Sequence, residues 1–555
     1  MFHRPFAAYG VLIVITLAGF SLLFRERGLA AGQDALFEAV RLVEYRAALS
    51  DQGYPRLAPD LYHGYGSPIF VFYPPLFLLL ASLTDLVFHN LNLSVKLVSV
   101  GLGVVSACFM YALLRRHCRA MAAGIGTLIW ILYPYKFTDL YARNAYAEYT
   151  ALCLLPLLFY FLVAAADPPR PRPRHSVGLF VATALLALSH TITLVIVLPV
   201  VLIAGLVLHL RAPLAATMRA GSKQAPPRRR VLPATLPPVL AGLGGAAFFL
   251  VPAFFHRGLV HMEHLTTGKF EYARNFVELR RLFFDRSLFY YQSPVPLVIL
   301  LAAAYRAVRE PSRFFRGPFG SWGISLSLLA LFMLSPASAP VWRATPLLAF
   351  VQFPWRFLLL FALGISWAAA YAADAIPPER KVVLSASMAV LAVALVVVHV
   401  LQFGRAGTFD ASPITPETIL TQNLPATVRD EYLPRVAELA TVGRSERVAA
   451  IEEAGNRGST PSPTRYRRCD DYPQVSAVRF ELLNFPFWHA AVDGRPSSLA
   501  PEQPILRVDV PAGRHCAEVE LGFTRLQRVG FTISALSTAL LLGYVGWAVK
   551  QRVPA

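Results

Sequence analysis

Acidic residues are scarce in this chain: 33 Asp+Glu stand against 52 Lys+Arg in 555 residues, a formal net charge of +19. Charged residues of both signs reach only 15%, while hydrophobic residues reach 55%. Soluble domains carry about 25% charged residues, so a soluble globular fold is excluded. The apolar fraction also excludes intrinsic disorder. Cysteine is sparse too: the five present show no CxxC or Cys/His metal spacing, which excludes a disulfide scaffold. Nor is there a basic face outside the hydrophobic segments of the kind nucleic acid requires, so no nucleic-acid partner is expected. What is left is a polytopic membrane protein whose positive charge sits in cytoplasmic loops.

About 20 apolar residues span a bilayer. The first run, Phe6 to Phe24, follows Arg4 and has no small-residue cleavage site, so it reads as a retained span. Further runs fall at 94–114, 119–134, 149–166, 176–190, 191–210, 232–252, 294–309, 319–335, 354–373, 382–403 and 529–549, making twelve. Basic residues cluster in alternate loops: Arg115, Arg116 and Arg119; Arg170, Arg172 and Arg174; Arg211, Arg219, Lys223 and Arg228 to Arg230. The same holds for Arg306, Arg309, Arg313 and Arg316, then Arg380 and Lys381, then Lys550 and Arg552. Placing these inside puts both termini in the cytoplasm, here of a bacterial inner membrane. Parity then bars the apolar stretch Ile69 to Phe88 from crossing. It reads as a re-entrant or interfacial segment broken at Pro74-Pro75, with a full crossing as the alternative.

The expected fold class is therefore an α-helical polytopic membrane protein with a small β-rich extracytoplasmic domain near its C-terminus. Residues 1–403 form the transmembrane module, with outer loops 25–93, 135–148, 253–293 and 336–353. Residues 404–528 form the β-rich domain, with strands at Val475 to Leu482, Ile505 to Val510 and Cys516 to Phe523 and a hairpin turn at Asp493-Gly494. Residues 529–555 form the last helix and tail. Cys469 and Cys516 both lie in the β-rich part, where an oxidising compartment permits a disulfide; two free thiols are the other reading.

The unusual polar residues gather on the outer side. Asp34 opens a stretch with apolar Leu36, Phe37, Val40, Val43 and Leu49, a pattern suited to a helix in the interface plane. Asp34 is either that helix's N-cap or a carboxylate held at the boundary to act as general base or bind a cation. In the next outer loop Asp139 and Arg143 sit four apart, with Glu148 beyond; they read as a surface ion pair or as functional charges beside apolar spans. Arg143 suits bidentate phosphate binding. His190, in ALSHTITL, is a satisfied polar residue or a site residue. In VQFPWRFLLL, Gln352, Trp355 and Arg356 are an interfacial anchor or place an Arg opposite a lipid phosphate. His261 and His264 have metal-compatible spacing without a clear third ligand, so no metal site is assigned. Tyr73, in the broken apolar stretch, joins the substrate-binding candidates.

Several segments together resemble a known family: PRLAPDLYHGYGSPIFVFYPPL, DLYARNAYAEYTALCLLPL, LSHTIT, FPWRFL, EYLP and FPFWHAAVDG. They are similar to the polytopic membrane proteins termed 6-pyruvoyl-tetrahydropterin synthase-related, which with the YfhO-like proteins are members of the GT-C glycosyltransferases. Phe487 departs from the family's usual Gly, in the distal domain. The resemblance implies transfer, with inversion, of a sugar from a polyprenyl-phosphate donor to an extracytoplasmic glycan, lipid or protein acceptor. It implies Asp34 as catalytic carboxylate and Asp139, or else Glu148, as second acidic position. Arg143, Glu148, His190, Gln352, Arg356 and Tyr73 are the expected substrate-binding residues. One Asp stands where some relatives carry an acidic pair, so a divalent cation is left open and no cofactor is assigned. A transporter or flippase of lipid-linked saccharides, and a non-catalytic envelope assembly protein, are the alternatives.

Overall fold

In the computed structural model of the chain, the described residues are 5–166, 173–220, 231–285, 292–316, 318–380, 407–437 and 464–550, together with 397, 403, 445 and 448. The expected span at 382–403 falls almost wholly outside them, as do Arg170, Arg172, Lys223, Arg228 to Arg230, Lys381 and Arg552.

Long unbroken apolar runs become long helices. Leu91–Arg115 starts at Asn90, whose side chain accepts the Leu93 N–H at 2.9 Å, an N-cap. Five helices are long and apolar enough to cross a bilayer: Leu91–Arg115, Tyr146–Ala166, Thr191–Leu210, Pro354–Ala373 and Arg525–Gly546. Two bent pairs raise this to seven, Ala234–Gly245 with Ala247–Phe255 and Gly320–Leu334 with Pro336–Ala344. Twelve crossings are thus not met among the described residues. Where crossings were expected near 6–24, 119–134, 176–190 and 294–309 the chain forms helices of 15, 12, 17 and 15 residues. At about 1.5 Å per residue these reach about 18–26 Å, short of the roughly 30 Å core. The stretch 69–88 breaks as expected, into Ile69–Phe72 and Leu76–Phe88.

The densest core surrounds the Leu358–Ala373 helix, which is buried along almost its whole length. Its contact with Pro318–Leu334 depends on small residues. A Cβ on Gly364 would stand 2.6 Å from Ser327 Oγ and 2.8 Å from the Gly323 carbonyl oxygen. Such close backbone approach is how apolar helices associate without a hydrophobic driving force.

Eight strands are described: β1 (Leu29–Ala30), β2 (Thr408–Phe409), β3 (Arg465–Tyr472), β4 (Ser476–Leu483), β5 (Trp488–Val492), β6 (Arg495–Ser497), β7 (Ile505–Val510) and β8 (Gly513–Leu521). The larger sheet runs β3-β8-β5-β6, with β4 and β7 paired beside it and β1 paired to β2. All pairings are antiparallel. Asp493 and Gly494 both take positive φ, 50° and 76°, as a tight β5–β6 hairpin demands. Cys469 and Cys516 face each other across β3 and β8 and are disulfide-bonded.

This β region is docked. Its apolar core, including Phe480, Phe487 and Val519, is continuous with Leu57, Val71 and Phe72 of the 25–93 segment and with Val260 of the 253–293 segment. The Leu483 N–H donates to the Tyr65 carbonyl at 2.8 Å. In the Ala35–Gln52 helix Glu38, Arg41 and Glu44 are buried, while Arg46, Ser50 and Asp51 are its exposed polar residues.

Candidate active site

Two segments distant in sequence hold Asp34. β1 pairs with β2 on one side. The chain then crosses to the second outer loop, where Gln33 N–H donates to the Ala142 carbonyl and Asp34 N–H to the Arg143 carbonyl, each at 3.0 Å. That loop is a single π-helical turn, Thr138–Arg143, closed by Asn144 in the left-handed region at φ 56°. The Asn144 amide donates to the Ala30 carbonyl at 3.1 Å. Gly32 is required at this crossing: a Cβ there would stand 2.0 Å from Asn144 Oδ1 and 2.9 Å from the Ala142 carbonyl carbon. Asp34 occupies the N-cap position of Ala35–Gln52, yet its side chain caps no N–H group of the helix. The carboxylate is half-buried and, among the described residues, takes no hydrogen bond.

One turn on, Glu38 is buried. Arg41 donates to its Oε1 at 2.7 Å and the Tyr73 hydroxyl donates to the same oxygen at 2.5 Å. The Arg41 guanidinium lies 4.4 Å from the Tyr73 ring centroid and donates through Nε to the Ala426 carbonyl at 2.7 Å. Glu38 Oε2 has no partner. Burial pushes the Glu38 carboxyl up, against the pull of Arg41. Neither Glu38 nor Arg41 was a sequence candidate; their signal was an i,i+3 charge pair within an amphipathic helix.

On the other side of Asp34 lies a buried charge network centred on Glu148. Its Oε2 accepts from Arg143 Nη2 at 3.0 Å and from Arg356 Nε at 3.1 Å, while Oε1 accepts from the Tyr135 hydroxyl at 2.6 Å. Arg143 Nη1 also binds Asp139 Oδ1 at 2.7 Å. The surface ion-pair reading of Asp139 and Arg143 is corrected here, since they are 0% and 6% exposed. Burial first, and the charge of Glu148 second, push the Asp139 carboxyl well above the usual carboxylate range, with Arg143 opposing. Asp139 Oδ2 is unpartnered.

Gln352, at φ 64°, accepts from Arg356 Nη1 at 2.9 Å and donates to the Leu265 carbonyl at 2.8 Å, hooking the 253–293 loop to the network. Arg356 is 7% exposed, so it is neither a snorkelling anchor nor free in the headgroup layer. His190 Nδ1 meets the Thr193 hydroxyl at 2.8 Å and accepts the Thr193 N–H at 3.3 Å. That is the satisfied-polar geometry, within electrostatic reach of Glu148 and Arg356. Asp139, Arg143, Glu148, Gln352 and Arg356 are joined by side-chain contacts, with His190 within electrostatic reach. Asp34 is tied to Arg143 through its backbone N–H, and its carboxylate acts on Glu38 and Arg41, the group to which Tyr73 belongs.

The His261–His264 spacing acquires a third ligand type in Glu263, with donor atoms of all three within 4.8 Å of one another. Each already has a partner: His261 meets Glu263 at 3.2 Å, Glu263 binds Arg435, and His264 meets the Arg429 carbonyl at 2.8 Å. These bonds engage all three residues, two of them with partners outside the trio, and no chemical step is assigned to it.

No curated protein matches the chain. Among solved structures it is similar to ArnT from Cupriavidus metallidurans bound to undecaprenyl phosphate, at 11% identity and TM-score 0.42, over 70% of this chain and 63% of that one. It is also similar to the arabinofuranosyltransferase AftD from Mycobacteria, at 16% identity and TM-score 0.44, over 72% of this chain and 27% of that one. A third is the Archaeoglobus fulgidus oligosaccharyltransferase in complex with Zn and sulfate, at 14% identity and TM-score 0.42, over 73% and 54%. The chain thus spans less than two thirds of the length of each. A family model, the 6-pyruvoyl-tetrahydropterin synthase related domain of membrane proteins, matches residues 70–405. That match takes in more than half of the 555 residues, and the chain belongs to this family of membrane proteins.

Proposed function

We propose that this protein is a GT-C-type glycosyltransferase that moves a sugar, with inversion, from a polyprenyl-phosphate donor to an extracytoplasmic glycan, lipid or protein acceptor. The observation that carries this reading is the carboxylate of Asp34, half-buried and without a hydrogen bond among the described residues, tied through its backbone N–H to Arg143 of a buried network that also holds Arg356. Asp34 takes the proton of the acceptor hydroxyl as that oxygen bonds to the anomeric carbon. The bond from the anomeric carbon to the phosphate oxygen breaks on the opposite face, and its electron pair leaves with the lipid phosphate. The proton then passes from Asp34 to solvent.

Negative charge grows on the departing phosphate, and a fixed positive field there lowers the barrier. Arg143 and Arg356, which share Glu148 and lie beside Asp139, supply the cations of that field. Tyr73, through Glu38, and His190 shape the surroundings of the reacting sugar. The Cys469–Cys516 bond supports an oxidising compartment for this face, and in this reading both termini lie in the cytoplasm of a bacterial inner membrane.

The test is Asp34→Asn in the purified full chain, assayed with polyprenyl-phosphate sugars. Transfer should fall by about 10²–10⁴-fold with an unchanged melting temperature, since the side chain makes no hydrogen bond to lose. Full transfer in the variant would overturn the assignment of Asp34. Translocation of the donor without product would overturn the enzyme reading.

A further inference from the structure

At the opposite end of the bundle, a groove of about 600 Å3 opens between the Ala120–Ile131, Val295–Arg309 and Leu358–Ala373 helices. Its wall is apolar, with Ile125, Val298 and Ile299 along it and Arg306, Arg309 and Glu310 at one end. The last of these helices has 16 residues, so about 24 Å of helix separates the groove's end at Ala373 from Arg356.

Arg306 is the unusual member. It is 5% exposed, and its guanidinium lies 4.3 Å from the Tyr371 ring centroid. Nη2 stands 3.6 Å from Glu310, too long for a hydrogen bond, and neither Nε nor Nη1 has an acceptor. Burying a guanidinium with unmet donors is unfavourable unless an acceptor arrives from outside the chain. A phosphate, which offers several anionic oxygens, is suited to a guanidinium in bidentate fashion. Beside it, Val298 and Leu301 are 65% and 70% exposed on the outer face of the same helix, where acyl chains would lie.

We propose that this groove binds an anionic glycerophospholipid, its phosphate on Arg306 and Arg309 and one acyl chain along Val298 and Ile299. Basic pockets between membrane helices are suited to such headgroups. The lipid phosphate offsets the positive charge of Arg306 and Arg309, and the lipid joins three helices at the end remote from Asp34.

The experiment is native mass spectrometry of the purified full chain, titrated with phosphatidylglycerol, phosphatidylcholine, undecaprenyl phosphate or inorganic phosphate. Phosphatidylglycerol should be retained in preference to phosphatidylcholine. Arg306→Gln should weaken it by about fivefold, the effect of one lost cation at a headgroup surface. Val298→Trp should weaken it as well by filling the apolar wall, and carries the test alone if Arg306→Gln does not fold. Equal retention of the two phospholipids, undiminished binding in both variants, or a preference for undecaprenyl phosphate or inorganic phosphate would each overturn the proposal.

Discussion

The backbone N–H of Asp34 donates to the carbonyl of Arg143 at 3.0 Å, joining the first outer loop to the second. One hydrogen bond therefore ties the free carboxylate to the residue that bridges Asp139 and Glu148. Position, rather than any side-chain contact of Asp34, is what the surrounding fold supplies.

Gly32→Ala tests that tie. The added methyl meets Asn144 Oδ1 at 2.0 Å, so the crossing must open. Transfer should fall by about 10²-fold, the scale set by a 1 Å misplacement of a reacting group, although the Asp34 side chain is intact. Turnover by the variant at the parental rate would refute the positional role.

Glu148→Ala leaves Arg143 and Arg356 buried without their shared counter-charge. The expected loss of stability is about 3–5 kcal/mol, read as a lower denaturation midpoint in detergent. Glu148→Gln, which keeps an acceptor for Tyr135, should be milder. An unchanged midpoint for the alanine variant would show that the network carries no structural weight.

Asp139 supplies a pH test. Its carboxyl is raised in the folded state, first by burial and then by Glu148, whereas the unfolded chain releases that proton near pH 3.9. Above that pH the folded state binds more protons, so this residue's contribution to stability declines as pH climbs towards the folded value and then levels. Asp139→Asn imitates the protonated form. It should remove the decline and retain transfer at neutral pH. Melting curves from pH 4 upward decide the matter, and identical slopes in parent and variant would contradict it.

Replacing Cys469 and Cys516 together by Ser should destabilise the β region by about 2–4 kcal/mol. Limited proteolysis of the full chain, with and without reductant, reads this directly. Equal cleavage of parent and variant under oxidising conditions would show the bond to be dispensable.

Much of the layout was legible from residues alone. The runs that became Leu91–Arg115 and Tyr146–Ala166 are continuous enough for length and hydropathy to decide. The Pro74-Pro75 break and the Asp493-Gly494 turn follow from backbone rules that act within a few residues. The runs at 119–134 and 294–309 form helices of 12 and 15 residues, because composition does not report where a helix stops.

Composition and local pattern determined that this chain belongs in a membrane, and local pattern singled out Asp34, Asp139, Arg143, Glu148, His190, Gln352 and Arg356 as candidates. Only the tertiary structure decided what those residues do to one another. Glu38 and Arg41 did not stand out in sequence, and Asp139 fitted a surface ion pair as well as a functional charge, since burial is set by segments that arrive from elsewhere in the chain. Arg356 meets Glu148 from 208 residues away, and no spacing rule spans that distance. Electrostatic energy depends on separation and dielectric, and both are properties of the packed chain.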